Sequence, residues 1–177
     1  MHSVITPEEK QLIEKIPTTN LKAYDKYLIA NEYRMDHEKT RDLNTYQKAV
    51  TFYKAAIELD SAFARAYVGL GWIYADRHYW SNYYKENSLD TCLVLANKAL
   101  SFDDQLDEAY YLKGLYYRYN GHIEEALDNH DKALKYNPNY YLAYNSKGYL
   151  LTWVIKDFVK GIDNYQKLIG DKEFWNS

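Results

Sequence analysis

The chain has 177 residues, of which 47% are apolar and 27% charged, with a formal net charge of −3. That length allows one domain with a real core or a short repeat array, and the slightly acidic balance argues against a nucleic-acid partner, which asks for a basic face. A single cysteine, Cys92, rules out an intramolecular disulfide framework and a cysteine-based zinc cage.

Nothing in the sequence reads as a membrane span, which needs a run of roughly 20 apolar residues. The opening MHSVITPEEK lacks a basic stretch followed by an apolar one, so a secretory leader is not expected there. Thr6-Pro7-Glu8-Glu9 instead reads as a helix start, with a capping threonine, a proline at the first helical position and acids in the first turn. A short helix to about Ile16 follows, Pro17 ends it, and Asn20 can cap the next one.

From there the chain repeats itself. Ala49, Ala56, Ser61, Ala66, Tyr67 and Gly71 are spaced 7, 5, 5, 1 and 4 residues apart. Cys92, Ala99, Asp104, Ala109, Tyr110 and Gly114 keep the same ruler, and so do Ala126, Ala133, Pro138, Ala143, Tyr144 and Gly148. A partial copy opens the series with Ala23-Tyr24 and Leu28, and the last copy closes with Gly161, Tyr165 and Leu168. The tyrosines that mark each start, Tyr24, Tyr67, Tyr110 and Tyr144, lie 43, 43 and 34 residues apart. Within a unit the apolar residues recur at helical spacing in two runs, as in Ala109, Leu112, Tyr116, Tyr117 and then Ile123, Ala126, Leu127, His130, Ala133, Leu134. Asn120-Gly121 separates these two, a short turn that favours antiparallel neighbours. Small residues let two helix backbones approach, and aromatics fill the holes beside them. Asn137-Pro138 stops one unit, because proline disfavours helical geometry at the residue before it.

Tyr67, Leu70, Gly71 and Tyr74, with Ala126, Ala133 and Pro138, resemble the pattern of the tetratricopeptide repeat. Lys113, Lys147, Ser61, Asp104 and Leu28 depart from it. The resemblance implies an all-α fold, an α-solenoid of about four helix-turn-helix units with a short N-terminal helix. The expected layout is a helix and linker over 1–19, units at about 21–63, 64–106, 107–140 and 141–170, and a tail over 171–177. The two longer units carry nine extra residues each. One insertion, around Met35–Asn44, is polar and is expected to be a solvated loop or a helix extension. The other, around Arg77–Glu86, holds Tyr79, Trp80, Tyr83 and Tyr84, which either pack on a neighbouring helix or form a contact patch. IPTTNLKAYDKYL followed by AIELDSAFARAY is similar to the C-terminal tetratricopeptide region of bacterial adenylate cyclase-like and winged-helix or AraC-type signalling proteins. That similarity implies a regulatory arm and carries over no catalytic residue.

No constellation for chemistry emerges. His122 and His130 are eight residues apart, whereas a metal pair on one helix face wants i, i+4. His130 sits in a packing slot shared with Tyr53, Ala96 and Tyr165, so a packed histidine is expected. Cys92 falls in a small-residue slot, which favours an inert buried thiol. Neither a phosphate-binding glycine loop nor a hydrolase or zinc-protease motif is present. The expectation is a non-catalytic chain with no cofactor and no metal, in the cytoplasm.

In stacked helical hairpins the first helices line a concave groove. The expected partner-binding residues on it are Val68, Trp72, Tyr111, Leu115, Arg118, Tyr119, Asn145, Tyr149 and Trp153, with Ala75, Asp76 and Thr152 nearby and Asp25, Ile29, Glu32 and Tyr33 in the first unit. Aromatics mixed with a few polar groups suit a protein or peptide partner, and a homodimer is the alternative. Some tetratricopeptide domains clamp the C-terminal carboxylate of chaperones with basic and amide side chains. The corresponding places here, Asp25, Ile29, Gly69, Glu108 and Leu112, are acidic or apolar, so no chaperone tail is expected.

Overall fold

The computed structural model describes residues 17–80 and 88–169. Among these, eight α-helices run in four antiparallel pairs and no strand occurs. The pairs are α1 (Leu21–Thr40) with α2 (Leu43–Leu59), α3 (Ala64–Trp80) with α4 (Ser88–Leu100), α5 (Asp107–Tyr119) with α6 (Ile123–Tyr136), and α7 (Tyr141–Tyr149) with α8 (Phe158–Ile169). A π-helical segment, Leu150–Ile155, joins the last two. Each helix packs on the next, and α1 also touches α3 and α3 touches α5, so first helices stack on first helices. The expected helix before Pro17, the aromatic insertion beyond Trp80 and the tail over 171–177 lie outside the described residues.

The repeat ruler is the pattern of closest approach. Ala49, Ala56, Ala66, Cys92, Ala99, Ala109, Ala126, Ala133 and Ala143 are all fully buried. Their short side chains let neighbouring helices come together, and larger groups fill the space around them. Burial pushes the Cys92 thiol up to about 12, which leaves it protonated and inert at neutral pH.

The junctions between pairs are built alike. Asp60, Asp103 and Asn137 each accept a bond from the backbone N–H two residues on, from Ala62, Gln105 and Asn139, at 3.0, 3.2 and 3.2 Å. This side-chain turn replaces backbone pairing where the helix stops. The start tyrosines then lock it: Tyr67 Oη donates to the Ser61 carbonyl and Tyr110 Oη to the Asp104 carbonyl, both at 3.0 Å. At the front of the array Asn20 caps α1, accepting from the Ala23 N–H at 3.1 Å, while its amide nitrogen donates to Leu59 O at 2.8 Å. One side chain thus starts α1 and ties it to the end of α2.

The polar insertion around Met35–Asn44 is a helix extension. α1 runs on to Thr40, Arg41 turns the chain with a positive φ of 57°, and Asp42 caps α2. His37 on this extension is buried, its Nδ1 lies 2.9 Å from Asp42 O, and its Nε2 lies 3.5 Å from Asp76 on α3. Arg41 pairs with the same Asp76 carboxylate. The extension is therefore fastened to the second pair.

Gly114 and Gly148 lie flat against rings from the second helices of their own pairs. A Cβ added at Gly148 would stand 2.7 Å from Tyr165 Cε1, and one at Gly114 would enter the His130 ring. Gly114→Ala gains about 1 kcal/mol of helix propensity, yet overpacking a buried ring costs about 1–3 kcal/mol. The expected net result is a loss of about 0–2 kcal/mol in denaturant unfolding; a raised midpoint contradicts the close contact.

Candidate functional site

The inner face of the first helices encloses an open cavity of about 830 Å³. That volume lies in the range of ligand-binding clefts, roughly 300–1,000 Å³. α3 contributes Trp72, Ala75 and Asp76; α5 contributes Tyr111, Leu115, Arg118 and Tyr119; α7 contributes Leu142, Asn145 and Tyr149. Leu150 and Val154 of the π-helical segment, Ile123 of α6, Tyr165 of α8 and Glu38 of the α1 extension complete the wall.

Tyr111 organises the centre. Its ring stacks on Trp72 at 5.2 Å, meets Tyr140 edge-on at 5.4 Å, and lies 5.3 Å from the His130 ring behind it. Burial raises the Tyr111 hydroxyl above its usual range, so it stays protonated. Arg118 occupies the far side. Its guanidinium lies over Tyr119 at 4.8 Å and Tyr149 at 5.4 Å, and it donates to Tyr119 Oη at 3.1 Å and to Ser146 Oγ at 3.4 Å. At the opposite end Glu38 pairs with Arg34, and Asp76 with Arg41 and His37.

Seven of the nine expected groove residues, Trp72, Tyr111, Leu115, Arg118, Tyr119, Asn145 and Tyr149, line this one cavity. Two do not. Val68 is 2% exposed, inside the core shared by α3, α4 and α5. It occupies the slot of Tyr111, but its short side chain ends in the seam where the tyrosine reaches the wall. Trp153 is 59% exposed and points away, and Val154 takes its place. The cause is the switch to i→i+5 bonding after Tyr149, which widens the turn and rotates the following side chains. Asp25, Ile29, Glu32 and Tyr33 of the first unit do not line the cavity either. Glu38 was missed by the sequence reading, because its place depends on the insertion being helical and docked through His37 and Arg41.

Groups of three or more His, Cys, Asp or Glu side chains that could hold a metal do not occur among the described residues. No helix among them is long and apolar enough to cross a membrane. His130 is fully buried with neither ring nitrogen hydrogen-bonded. A second concavity of about 540 Å³ lies between α6, α7 and α8, and its Lys147 and Lys167 pair with Asp131 and Asp163.

A tetratricopeptide repeat model matches residues 41–63 and 107–140. No curated protein matches the sequence. Solved structures do match in fold. The tetratricopeptide domain of Arabidopsis OM64 is 18% identical, with a TM-score of 0.61 over 77% of this chain and 100% of that one. The first tetratricopeptide domain of Spaghetti (RPAP3), bound to the HSP90 peptide SRMEEVD, is 15% identical, with a TM-score of 0.58 over 85% of this chain and 98% of that one. MamA from Desulfovibrio magneticus is 15% identical, with a TM-score of 0.57 over 98% of this chain and 100% of that one. The fold is an α-solenoid of tetratricopeptide units.

Burial, with the positive charges of Arg118 and Lys147, pushes the His130 imidazole down to about 3. An imidazole in the unfolded chain titrates near about 6.5. The unfolded state therefore binds more protons between those values. The stability that neutral His130 contributes is full above about pH 6.5 and is lost as pH falls toward about 3. His130→Phe, which keeps a ring in the slot, is expected to melt with a smaller drop between pH 7 and pH 4.5 than the parent; an equal drop contradicts the assignment.

Proposed function

We propose that this chain is a non-catalytic protein-interaction scaffold that takes a peptide segment or partner domain in its concave groove. The observation that carries this is the cavity on the first helices, where Trp72, Tyr149 and Leu115 offer apolar contact beside a charged Arg118. A few aromatic and arginine anchors in a partly desolvated pocket are what most binding energy in such interfaces rests on. The resemblance of the fold to a domain solved with a bound peptide supports the same reading.

The mode of binding differs from that of a chaperone-tail clamp. Leu112 and Gly69 are buried, and Asp25 and Glu108 bring negative charge to the places where a terminal carboxylate would sit. A peptide selected from a random dodecamer display library is expected to lose at least tenfold in affinity to the Trp72→Ala/Tyr149→Ala double variant. Tyr111 is left intact because it is core, and the helical circular dichroism signal should be unchanged. In isothermal titration calorimetry SRMEEVD should show no micromolar binding. Retained affinity in the double variant, or micromolar binding of the tail, counts against this assignment.

A second reading, self-association as an arm of a larger bacterial signalling protein, draws on the end of the array. Val159 on α8 is 81% exposed, and Phe158 and Ile162 beside it are exposed as well. By the ruler, Phe158 and Ile162 correspond to Ile123 and Leu127, which are half-buried on α6. If this face pairs two copies, light scattering at high concentration should give twice the monomer mass, and Ile162→Glu should return it to one. A monomer at every concentration removes this reading. Phe174 and Trp175, expected as a cap or contact, lie outside the described residues.

A further inference from the structure

The groove carries a charge that its own walls do not answer. Of the three charged side chains among the described residues of the wall, Glu38 and Asp76 already pair with Arg34, Arg41 and His37. Arg118 has no carboxylate partner among the described residues; its partners are the Tyr119 and Ser146 hydroxyls and two aromatic faces. Those contacts fix the plane of the guanidinium. They use two of its five N–H donors and leave three, more than the two a bidentate carboxylate draws on.

We propose, on the basis of the groove reading above, that this cavity selects peptide segments carrying an acidic side chain two residues from an aromatic one. The carboxylate seats on Arg118, and the aromatic ring lies on the face formed by Tyr149, Leu115 and Trp72. The spacing follows from dimensions. The guanidinium stands 5.4 Å from the Tyr149 ring centre, and an extended chain advances about 3.3 Å per residue, returning to the same side every second residue. Arg118 is pre-organised, so a ligand carboxylate meets a guanidinium whose rotamer is already held. The acid is a side chain inside the segment, since Arg118 is the one basic side chain among the described residues of the wall. The reverse polarity, a basic peptide, would place its charge against Arg118 or against acids already neutralised.

The test uses two pools of decapeptides, acetylated and amidated at their ends, random except for a central Phe-x-Glu or Phe-x-Gln. Fluorescence anisotropy with the full chain should show the Glu pool binding at least tenfold tighter, with the gap narrowing as salt rises. Arg118→Gln should bring the Glu pool down to the affinity of the Gln pool measured on the same variant, with the helical circular dichroism signal retained. Equal binding of both pools, still lost in Trp72→Ala/Tyr149→Ala, overturns acid selection and leaves the groove as the binding surface. Binding of neither pool overturns both.

Discussion

The structure depends on how closely the two helices of a pair can approach. Gly114 and Gly148 carry no side chain where the rings of His130 and Tyr165 press against the helix backbone. The flanking alanines of the ruler, all fully buried, extend that contact along the seam. Because the approach is set by backbone against ring, it is nearly rigid, and protein interiors at this density do not yield to an added methyl without displacement. A rigid pair then fixes where the outer faces of its first helix point. The groove is the sum of three such faces, from α3, α5 and α7.

The same packing explains why the groove wall is aromatic and why it holds its shape. Tyr111 stands between the seam and the cavity, with His130 behind it and Trp72 beside it. Held on both sides, its buried ring keeps the wall in place. Tyr149, at 47% exposed, is the more open contact, and Arg118 bridges it to Tyr119. The junction turns serve the same end. Asp60, Asp103 and Asn137 close each turn in the same way, so successive pairs are added with similar geometry and the first helices remain in line.

Much of the fold was legible because repetition exposes it. A single alanine says little, but alanine or cysteine at nine matching places, all fully buried, marks a packing seam. The start tyrosines were legible as markers; that Tyr67 and Tyr110 also close the turns before them was not, since the acceptors are backbone carbonyls, invisible in residue identity. The groove was legible to the extent that a straight helix holds. Trp72, Tyr111, Leu115, Arg118, Tyr119, Asn145 and Tyr149 sit on one face. Val68 fails through side-chain length. Trp153 fails because the backbone changes its period at Leu150, in a segment where no proline or glycine announces the change. Glu38 comes from an insertion whose fastening, His37 and Arg41 onto Asp76, joins residues from two different units.

On the function proposed above, the inner face of the first helices, held by these close pairs, is the surface that binds. Backbone amide shifts of the isotopically labelled chain, followed by NMR during titration with the Phe-x-Glu decapeptide pool, test it most directly. The account predicts that the amides that move cluster on α3, α5, α7 and the π-helical segment around the cavity, while the outer faces of α2, α4 and α6 stay still. Shifts concentrated on those outer faces, or on α8 alone, would contradict it.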